Sequence, residues 1–316
     1  MGRATRPRAA RKERDDQHSG EDAEQGPSGA RVGRRGTASN ANTLAWYVSA
    51  PMPPLSRLTT ATVAARIPYA NAAPFYALWG DAPFAVRNLV PRELGREAEA
   101  GSVDLGLMAT GDYLRLRDRF ELVSPAMGVA TRGPVLSVLL FSRRPANALA
   151  GSLISVTPET STSIRLLRLL LDVRRGLEGV RYVRGLEPAQ ADALLMIGDQ
   201  AMRMRQKRPE GFTHTLDLGA DWLEWTGLSF VYAVWAMRSA LEGAIKSELG
   251  AFLESSLAAG MADLPAVARQ QTGPGWTHEE TEAYLRRFHY RLGPEDLLGM
   301  ERFEALLAEH GLVERE

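Results

Sequence analysis

Asn71 carries an amide side chain and lies between a predicted strand and a predicted helix. The strand comprises residues 62–67, and the helix has Pro74 near its first position. Proline suits that position because the N–H group that it lacks would have no partner there. The amide can both donate and accept hydrogen bonds beside the free N–H groups of a helix start. Asn71 is therefore a candidate for orienting a polar ligand, and the alternative is a plain turn or helix cap.

A row of four hydroxyls, Thr160, Ser161, Thr162 and Ser163, opens the predicted helix 161–176. Backbone N–H groups, hydroxyls and the helix dipole all favour negative charge at such an N-terminus. One or two hydroxyls would suffice to cap the helix, so the row is either a cap or a substrate-binding site for a carboxylate.

Three further polar side chains lie at the ends of predicted strands. Asp199 directly follows an apolar strand, where it would either cap the next helix or accept a hydrogen bond from a ligand hydroxyl. Thr110 has the corresponding place after the predicted strand 104–108. Ser137 lies near the start of the predicted strand 135–141, from which its side chain can face a cleft.

The sequence lacks the motifs of several common enzyme classes. No GxSxG, HExxH, Walker A or strand-linked GxGxxG motif occurs, and there is no Cys. His214 is the only one of the five histidines in the central part of the chain. The predicted site therefore consists of neutral hydroxyls, amides and backbone dipoles, with no metal ligands.

Charge and hydropathy exclude further classes. Lys and Arg together number 38, as do Asp and Glu, so no net field attracts nucleic acid or an anionic membrane. No run of about 18 apolar residues suggests a membrane span, and no apolar stretch is long enough for the core of an export signal. We expect a soluble cytoplasmic protein with no nucleic-acid and no membrane partner.

The elements that must position these side chains indicate a mixed α/β protein. Residues 1–57 are predicted to be a disordered tail, since residues 1–42 contain nine basic and six acidic residues and no aromatic residue. Short apolar stretches of strand type then alternate with amphipathic helical segments. The predicted strands are 62–67, 84–89, 104–108, 135–141, 153–156, 180–183, 193–197 and 230–235.

Two strand-rich halves followed by helices predict a two-lobed architecture with a ligand cleft between the lobes. Lobe one would comprise residues 58–137 and 231–316, and lobe two residues 138–230. Residues 240–313 show only helical periodicity, in four segments broken near Gly260, 273–275 and 293–294. These C-terminal helices either pack on lobe one or form the face of a homodimer.

Six segments, taken in order, resemble the chorismate dehydratase family of the futalosine route to menaquinone. No segment is specific alone, and the resemblance covers about residues 60–240. The segments are Tyr69-x-Asn71-x-x-Pro74-Phe75, Gly101-x-Val103-Asp104-Leu105-Gly106-Leu107, Gly133-Pro134-Val135-x-Ser137, residues 157–163, Ile197-Gly198-Asp199-Gln200-Ala201, and Trp222-x-x-Trp225-Thr226-Gly227-Leu228-x-Phe230.

The resemblance implies a fold similar to type II periplasmic binding proteins and a dehydratase that uses no metal or organic cofactor. The family converts chorismate to 3-[(1-carboxyvinyl)oxy]benzoate, and Asn71 and Ser137 match its catalytic cleft residues. Related chorismate- or futalosine-derived substrates remain open. A second function class also remains, a non-catalytic bilobal binding protein for a small carboxylate, because a fold does not determine a function.

Overall fold

The computed structural model describes residues 55–273 and 275–313. Residues 1–54 of the predicted tail lie outside this described part. Of the last three residues assigned to the tail, Leu55 packs against the hydrophobic core and Arg57 forms an ion pair with Glu242 at 2.9 Å.

Within the described residues, twelve strands form two sheets, and the segments that connect them are largely helical. The strands are β1 (Val63–Arg66), β2 (Ala85–Asn88), β3 (Leu105–Ala109), β4 (Phe120–Leu122), β5 (Met127–Thr131), β6 (Val138–Ser142), β7 (Leu153–Val156), β8 (Arg181–Arg184), β9 (Ala193–Ile197), β10 (His214–Asp217), β11 (Phe230–Arg238) and β12 (His289–Arg291). The helices are α1 (Pro91–Glu99), α2 (Thr110–Leu116), α3 (Thr162–Arg168), α4 (Gly198–Gln206), α5 (Leu218–Thr226), α6 (Gly243–Ala262), α7 (Leu264–Gln271), α8 (His278–Leu285) and α9 (Pro294–Glu309).

The first sheet has the strand order β12-β5-β11-β3-β1-β2, and β4 also pairs with β11. Strands β2 and β3 run parallel to β1, whereas β11 runs antiparallel to β3, β4 and β5. Every residue of β3 and β5 is buried, because both faces of this sheet are covered. The expected apolar stretches therefore occur in the strands nearest the centre.

The second sheet has the order β10-β6-β9-β7-β8. Strands β8 and β9 are parallel to β7, and β6 is antiparallel to β9 and β10. The chain enters this sheet after β5 and returns to the first sheet with β11. The mixed α/β, two-sheet architecture predicted from the sequence is thus confirmed, while the lobe boundaries stay a prediction.

The C-terminal region contains the four predicted helices, and the first break falls near Gly260 as expected, since α6 ends at Ala262 and α7 begins at Leu264. The region differs from the prediction in one way. It is not wholly helical, because β12 pairs with β5, and a three-residue strand is too short to identify in the sequence. Gly260 itself serves close packing, since a Cβ atom there would overlap the carbonyl oxygen of Pro74.

Two predicted elements begin or end differently. The predicted strand 135–141 starts only at Val138, because Leu136 has φ of 65°, which a β-strand does not accommodate. The predicted helix 161–176 is α-helical over Thr162–Arg168 and continues as a π-helix over Leu169–Val173. Strands β4, β5, β10 and β12 were not predicted.

Helices α6 and α9 pack on the first sheet and its connections. Ser256 of α6 donates to the Phe75 carbonyl at 2.7 Å, and Gly299 of α9 lies so close to Ser229 that a Cβ atom would overlap its carbonyl oxygen. A homodimer stays a prediction. No helix in the part of the chain that the structure describes has the length and apolar character needed to cross a membrane.

Candidate functional site

A cavity lies between the two sheets, where the carboxyl ends of β1, β7 and β9 meet. Crevices at such strand ends commonly bind ligands. The lining residues are Ile67, Tyr69, Asn71, Pro91, Leu107, Ala109, Val129, Ser137, Val138, Thr160, Ser161, Thr162, Ser163, Ile197, Gly198, Tyr232 and Ala233.

Asn71 lies in a 3₁₀-helix, Ala70–Tyr76, that directly follows β1. Tyr76 ties the two ends of this segment together, since its hydroxyl accepts a hydrogen bond from the Ile67 N–H at 2.9 Å. Pro74 was predicted near the first position of a helix, but it is the fifth residue of this 3₁₀-helix. Within the described residues no hydrogen bond of the Asn71 side chain is found, so its amide lines the cavity with free donors and acceptors.

Ser137 is positioned by a loop whose backbone is held from outside. The carboxylate of Asp217 accepts hydrogen bonds from the N–H groups of Val135 at 3.1 Å and Leu136 at 2.8 Å. These bonds hold Leu136 in the left-handed region, a conformation that costs a non-glycine residue about 1–2 kcal/mol. The Ser137 carbonyl accepts from the Gly198 N–H at 2.8 Å, which fixes the loop against β9 and α4.

The hydroxyl of Ser137 also has a partner behind it. The phenol of Tyr284, on α8, donates a hydrogen bond to Ser137 Oγ at 2.8 Å, and both residues are buried. Burial raises the pKa of Tyr284 above its ordinary value of 10.0. The phenol therefore stays protonated at neutral pH.

The row of hydroxyls at residues 160–163 lines the opposite wall of the cavity. Thr162 Oγ1 accepts from the Gly111 N–H at 2.9 Å, and Ser161 Oγ accepts from the guanidinium of Arg165 at 2.8 Å. Each of these two hydroxyls is thus used as an acceptor from behind, which leaves its own proton available for the cavity. Neither of them caps the helix.

Thr160 gives an independent indication of a ligand. It is 1% exposed, lines the cavity, and its Oγ1 has no hydrogen-bond partner within the described residues. Buried polar atoms are nearly always paired, so an unpaired hydroxyl facing a cavity suggests that a ligand or solvent completes its hydrogen bonding.

Two predicted site residues lie outside this lining. Thr110 is fully buried, and its hydroxyl donates to the Val231 carbonyl at 2.8 Å, so it joins α2 to β11. Asp199 neither caps α4 nor reaches the cavity; its Oδ1 accepts from the Ala70 N–H at 3.4 Å. The structure brings the other six predicted residues together and leaves these two in supporting contacts.

Glu159 joins the two sides of the cleft. Its carboxylate accepts hydrogen bonds from the Tyr69 hydroxyl and from the Gln200 amide, the latter at 3.0 Å, and its carbonyl accepts from the Arg92 N–H at 3.1 Å. Burial, with further contributions from the contact with Glu159, raises the pKa of Tyr69 above its usual range. The Tyr69 ring lies against Gly198, where a Cβ atom would come within 3.1 Å of it.

The lining is largely apolar, and all of its polar side chains are neutral. Its polar atoms belong to hydroxyls, the amide of Asn71 and the phenols of Tyr69 and Tyr232. Two guanidinium groups support the hydroxyl row from behind: Arg165 donates to Ser161 Oγ at 2.8 Å, and Arg184 donates to the Thr160 carbonyl at 3.0 Å. Arg165 also forms an ion pair with Asp112 at 3.9 Å. Nowhere in residues 55–273 and 275–313 do three or more His, Cys, Asp or Glu side chains form a metal-binding group.

Sequence reasoning missed the residues that act from behind the lining, Arg165, Asp217 and Tyr284. Asp217 carries a detectable pattern, since an Asp directly before a helix is a common cap, and its carboxylate does accept from the Gly219 and Ala220 N–H groups. Arg165 and Tyr284 occur within helical patterns that give no indication of their contacts.

Known proteins resemble this chain over most of its length. The sequence profile of the family described as menaquinone biosynthesis matches residues 62–309. A curated protein of Thermus thermophilus, named chorismate dehydratase, is 34% identical over 257 residues, which are 76% of this chain and 92% of that protein.

Solved structures of low identity share the fold. A protein from Archaeoglobus fulgidus superposes with a TM-score of 0.63 at 17% identity, covering 79% of this chain and 97% of that one. A Candida albicans protein described as having the generic periplasmic binding protein fold gives 0.55 at 10% identity, covering 78% and 90% of the two chains. Together with the family profile and the curated relative, these similarities confirm the expectation: the chain belongs to the chorismate dehydratase family of menaquinone biosynthesis.

Proposed function

We propose that this protein is a chorismate dehydratase, a carbon–oxygen lyase that converts chorismate to 3-[(1-carboxyvinyl)oxy]benzoate and water in futalosine-dependent menaquinone biosynthesis. The observation that carries the proposal is the cavity between the sheets, lined by Asn71, Ser137 and the hydroxyls of residues 160–163 in a chain of this family. Its substrate would be a small molecule that neutral donors can hold.

The donors of the cavity suit the polar groups of chorismate. Chorismate carries two carboxylates and one ring hydroxyl, and carboxylates bind well to hydroxyls and free N–H groups near a helix start. Ser161 and Thr162 have protons available because each accepts a hydrogen bond from elsewhere. Thr160 has an unpaired hydroxyl in the described part of the chain. We assign residues 160–163 to one substrate carboxylate.

The reaction removes the proton at ring C3 and the hydroxyl at ring C4. The C3 proton is acidic because the resulting carbanion is conjugated through the ring diene to the carboxylate. The electrons of the C3–H bond become the new ring double bond as the C4–O bond breaks, and the aromatic ring that forms drives the step. The oxygen leaves as water after it has received the proton that was removed from C3.

The proton acceptor in this proposal is the enolpyruvyl carboxylate of the substrate. The described lining residues include no carboxylate, imidazole or ammonium group that could take the C3 proton. The protein would instead hold the substrate carboxylate against C3, and orientation together with preorganised dipoles can lower a barrier by on the order of several kcal/mol.

Asn71 and Ser137 have the catalytic roles in this proposal. Asn71, at the carboxyl end of β1, would position the ring through its free amide. Ser137 would donate a hydrogen bond to the departing C4 oxygen, which gains negative charge in the transition state. The cytoplasmic location and the homodimer stay predictions that do not bear on this assignment.

Incubation of the purified protein with chorismate, without added metal or nucleotide, tests the proposal. We expect loss of chorismate and formation of 3-[(1-carboxyvinyl)oxy]benzoate, measured by liquid chromatography and mass spectrometry, at a rate above that of an enzyme-free control. Tight binding of chorismate without turnover would reject the dehydratase and favour the binding-protein alternative.

A further inference from the structure

The phenol of Tyr284 lies directly behind the catalytic serine of the proposed reaction. Tyr284 is on α8, 147 residues after Ser137, and its hydroxyl oxygen is 2.8 Å from Ser137 Oγ. Both side chains are about 1% exposed, so solvent does not compete for this hydrogen bond. Tyr284 does not line the cavity and has no direct access to a substrate.

The direction of this hydrogen bond determines where the serine proton can go. A phenol is a stronger donor than an alcohol, and Tyr284 stays protonated because burial raises its pKa. Ser137 Oγ is therefore the acceptor, and its own proton must point elsewhere. The only protein acceptor found for it in the described residues is the Val135 carbonyl at 3.5 Å, the far limit of a hydrogen bond.

The position of the phenol is itself well determined. The Tyr284 ring packs edge to face against Phe288, with 5.0 Å between ring centroids, and against Trp276, with 5.8 Å. Such contacts favour one orientation of a buried ring. The hydroxyl of Tyr284 thus has a constant place relative to Ser137.

We propose that Tyr284 is a positioning residue, which holds the Ser137 hydroxyl so that its proton points at the C4 oxygen that leaves the substrate. This inference rests on the proposed dehydratase function and deepens it. Tyr284 transfers no proton in the step, since its raised pKa makes it a poor acid. The C3 proton goes to the substrate carboxylate and from there to the C4 oxygen, which leaves as water as the C4–O bond breaks. Both Ser137 and Tyr284 keep their protons and only donate hydrogen bonds.

The test is a double-mutant cycle of Tyr284→Phe and Ser137→Ala, with kcat and KM for chorismate measured for all four proteins. We expect Tyr284→Phe to lower kcat about 10- to 100-fold with little change in KM, because a donor that acts on the transition state loses its orientation. In the Ser137→Ala background the same change should lower kcat no further.

Tyr290→Phe is the matched control. Tyr290 is a buried tyrosine of the same aromatic cluster, but its hydroxyl donates to the Leu285 carbonyl at 3.3 Å and does not contact the cavity. Its removal should leave kcat unchanged. Replacement of Tyr284 by 4-aminophenylalanine keeps the ring and one donor in place, so it should restore most of the lost kcat, and it provides the test even where Tyr284→Phe folds poorly.

The outcomes separate this inference from the proposed function. A wild-type protein that does not turn over chorismate would reject both. A fully active wild type with an equally active Tyr284→Phe variant would reject the positioning role alone. Equal losses of kcat in the wild-type and Ser137→Ala backgrounds, or no recovery with 4-aminophenylalanine, would also reject it, because the loss would then come from general damage to the fold.

Discussion

Replacing Asp217 by Ala should destabilise the protein and impair catalysis together. The Asp217 carboxylate accepts hydrogen bonds from four backbone N–H groups, those of Val135, Leu136, Gly219 and Ala220, at 2.8–3.1 Å. Two of these bonds cap α5 and two hold the loop in which Leu136 has φ of 65°. One substitution therefore removes a helix cap and releases a strained loop.

The expected magnitude follows from these parts. Loss of the cap costs about 1 kcal/mol, and loss of two hydrogen bonds to a charged acceptor costs about 3 kcal/mol at the low end of the range for such bonds. Release of Leu136 from the left-handed region removes strain and offsets about 1 kcal/mol of this loss. The free energy of unfolding should thus fall by about 3 kcal/mol, which lowers the melting temperature by about 6–12 °C.

The assay combines thermal unfolding with turnover of chorismate. Asp263→Ala is the control, because Asp263 caps α7 through one bond to the Ala266 N–H at 3.0 Å and contacts no loop of the cavity. We expect Asp217→Ala also to lower kcat about 10- to 100-fold, since a displacement of about 1 Å of a catalytic group has such an effect. If Asp217→Ala melts like Asp263→Ala and keeps full turnover, the proposed support of the Ser137 loop is wrong.

Three further outcomes are expected. Asn71→Ala should lower kcat/KM for chorismate about 100-fold with an unchanged melting temperature, and full turnover would remove Asn71 from the site. Tyr69→Phe removes the contact with Glu159 that joins the two sides of the cleft, so it should raise KM more than it lowers kcat, because a less well-ordered cleft binds substrate more weakly; an unchanged KM would contradict this. The hydrogen bond to Asp296 raises the pKa of His289 above its usual 6.5, so its protonation stabilises the fold below that pH and the effect is lost as pH rises through the folded-state pKa. Melting temperatures of His289→Gln should therefore depend less on pH between about 6 and 8 than those of the wild type, in the range set by the ordinary histidine pKa.

The sequence could identify those residues of the candidate site that directly follow a strand. Asn71 follows β1 of the first sheet, the hydroxyls of residues 160–163 follow β7 of the second, and ligands commonly bind at such strand ends. Thr110 and Asp199 satisfy the same sequence pattern, yet their side chains bond to backbone groups of neighbouring segments. A strand-to-helix position places a residue near the cavity, but the rotamer and the local backbone decide whether it faces the cavity or the protein.

Other misses have equally local causes. Pro74 was expected near the first position of its helix, yet it is the fifth residue of the 3₁₀-helix Ala70–Tyr76. Strand β12 has three residues, fewer than a period-two pattern needs for detection, and it exists because β5 offers an unpaired edge. The π-helical continuation of α3 is likewise not encoded in the spacing of its leucines.

The sequence by itself determined the mixed α/β class, the neutral character of the site and the family, because apolar periodicity, residue types and ordered segments are local properties of the chain. Only the tertiary structure decided which polar groups support the site. Tyr284 reaches Ser137 across 147 residues, and Asp217 holds the loop before β6 across 81 residues. Such hydrogen bonds depend on distances and directions between segments far apart in the chain, and these become defined only when the two sheets pack around the cavity.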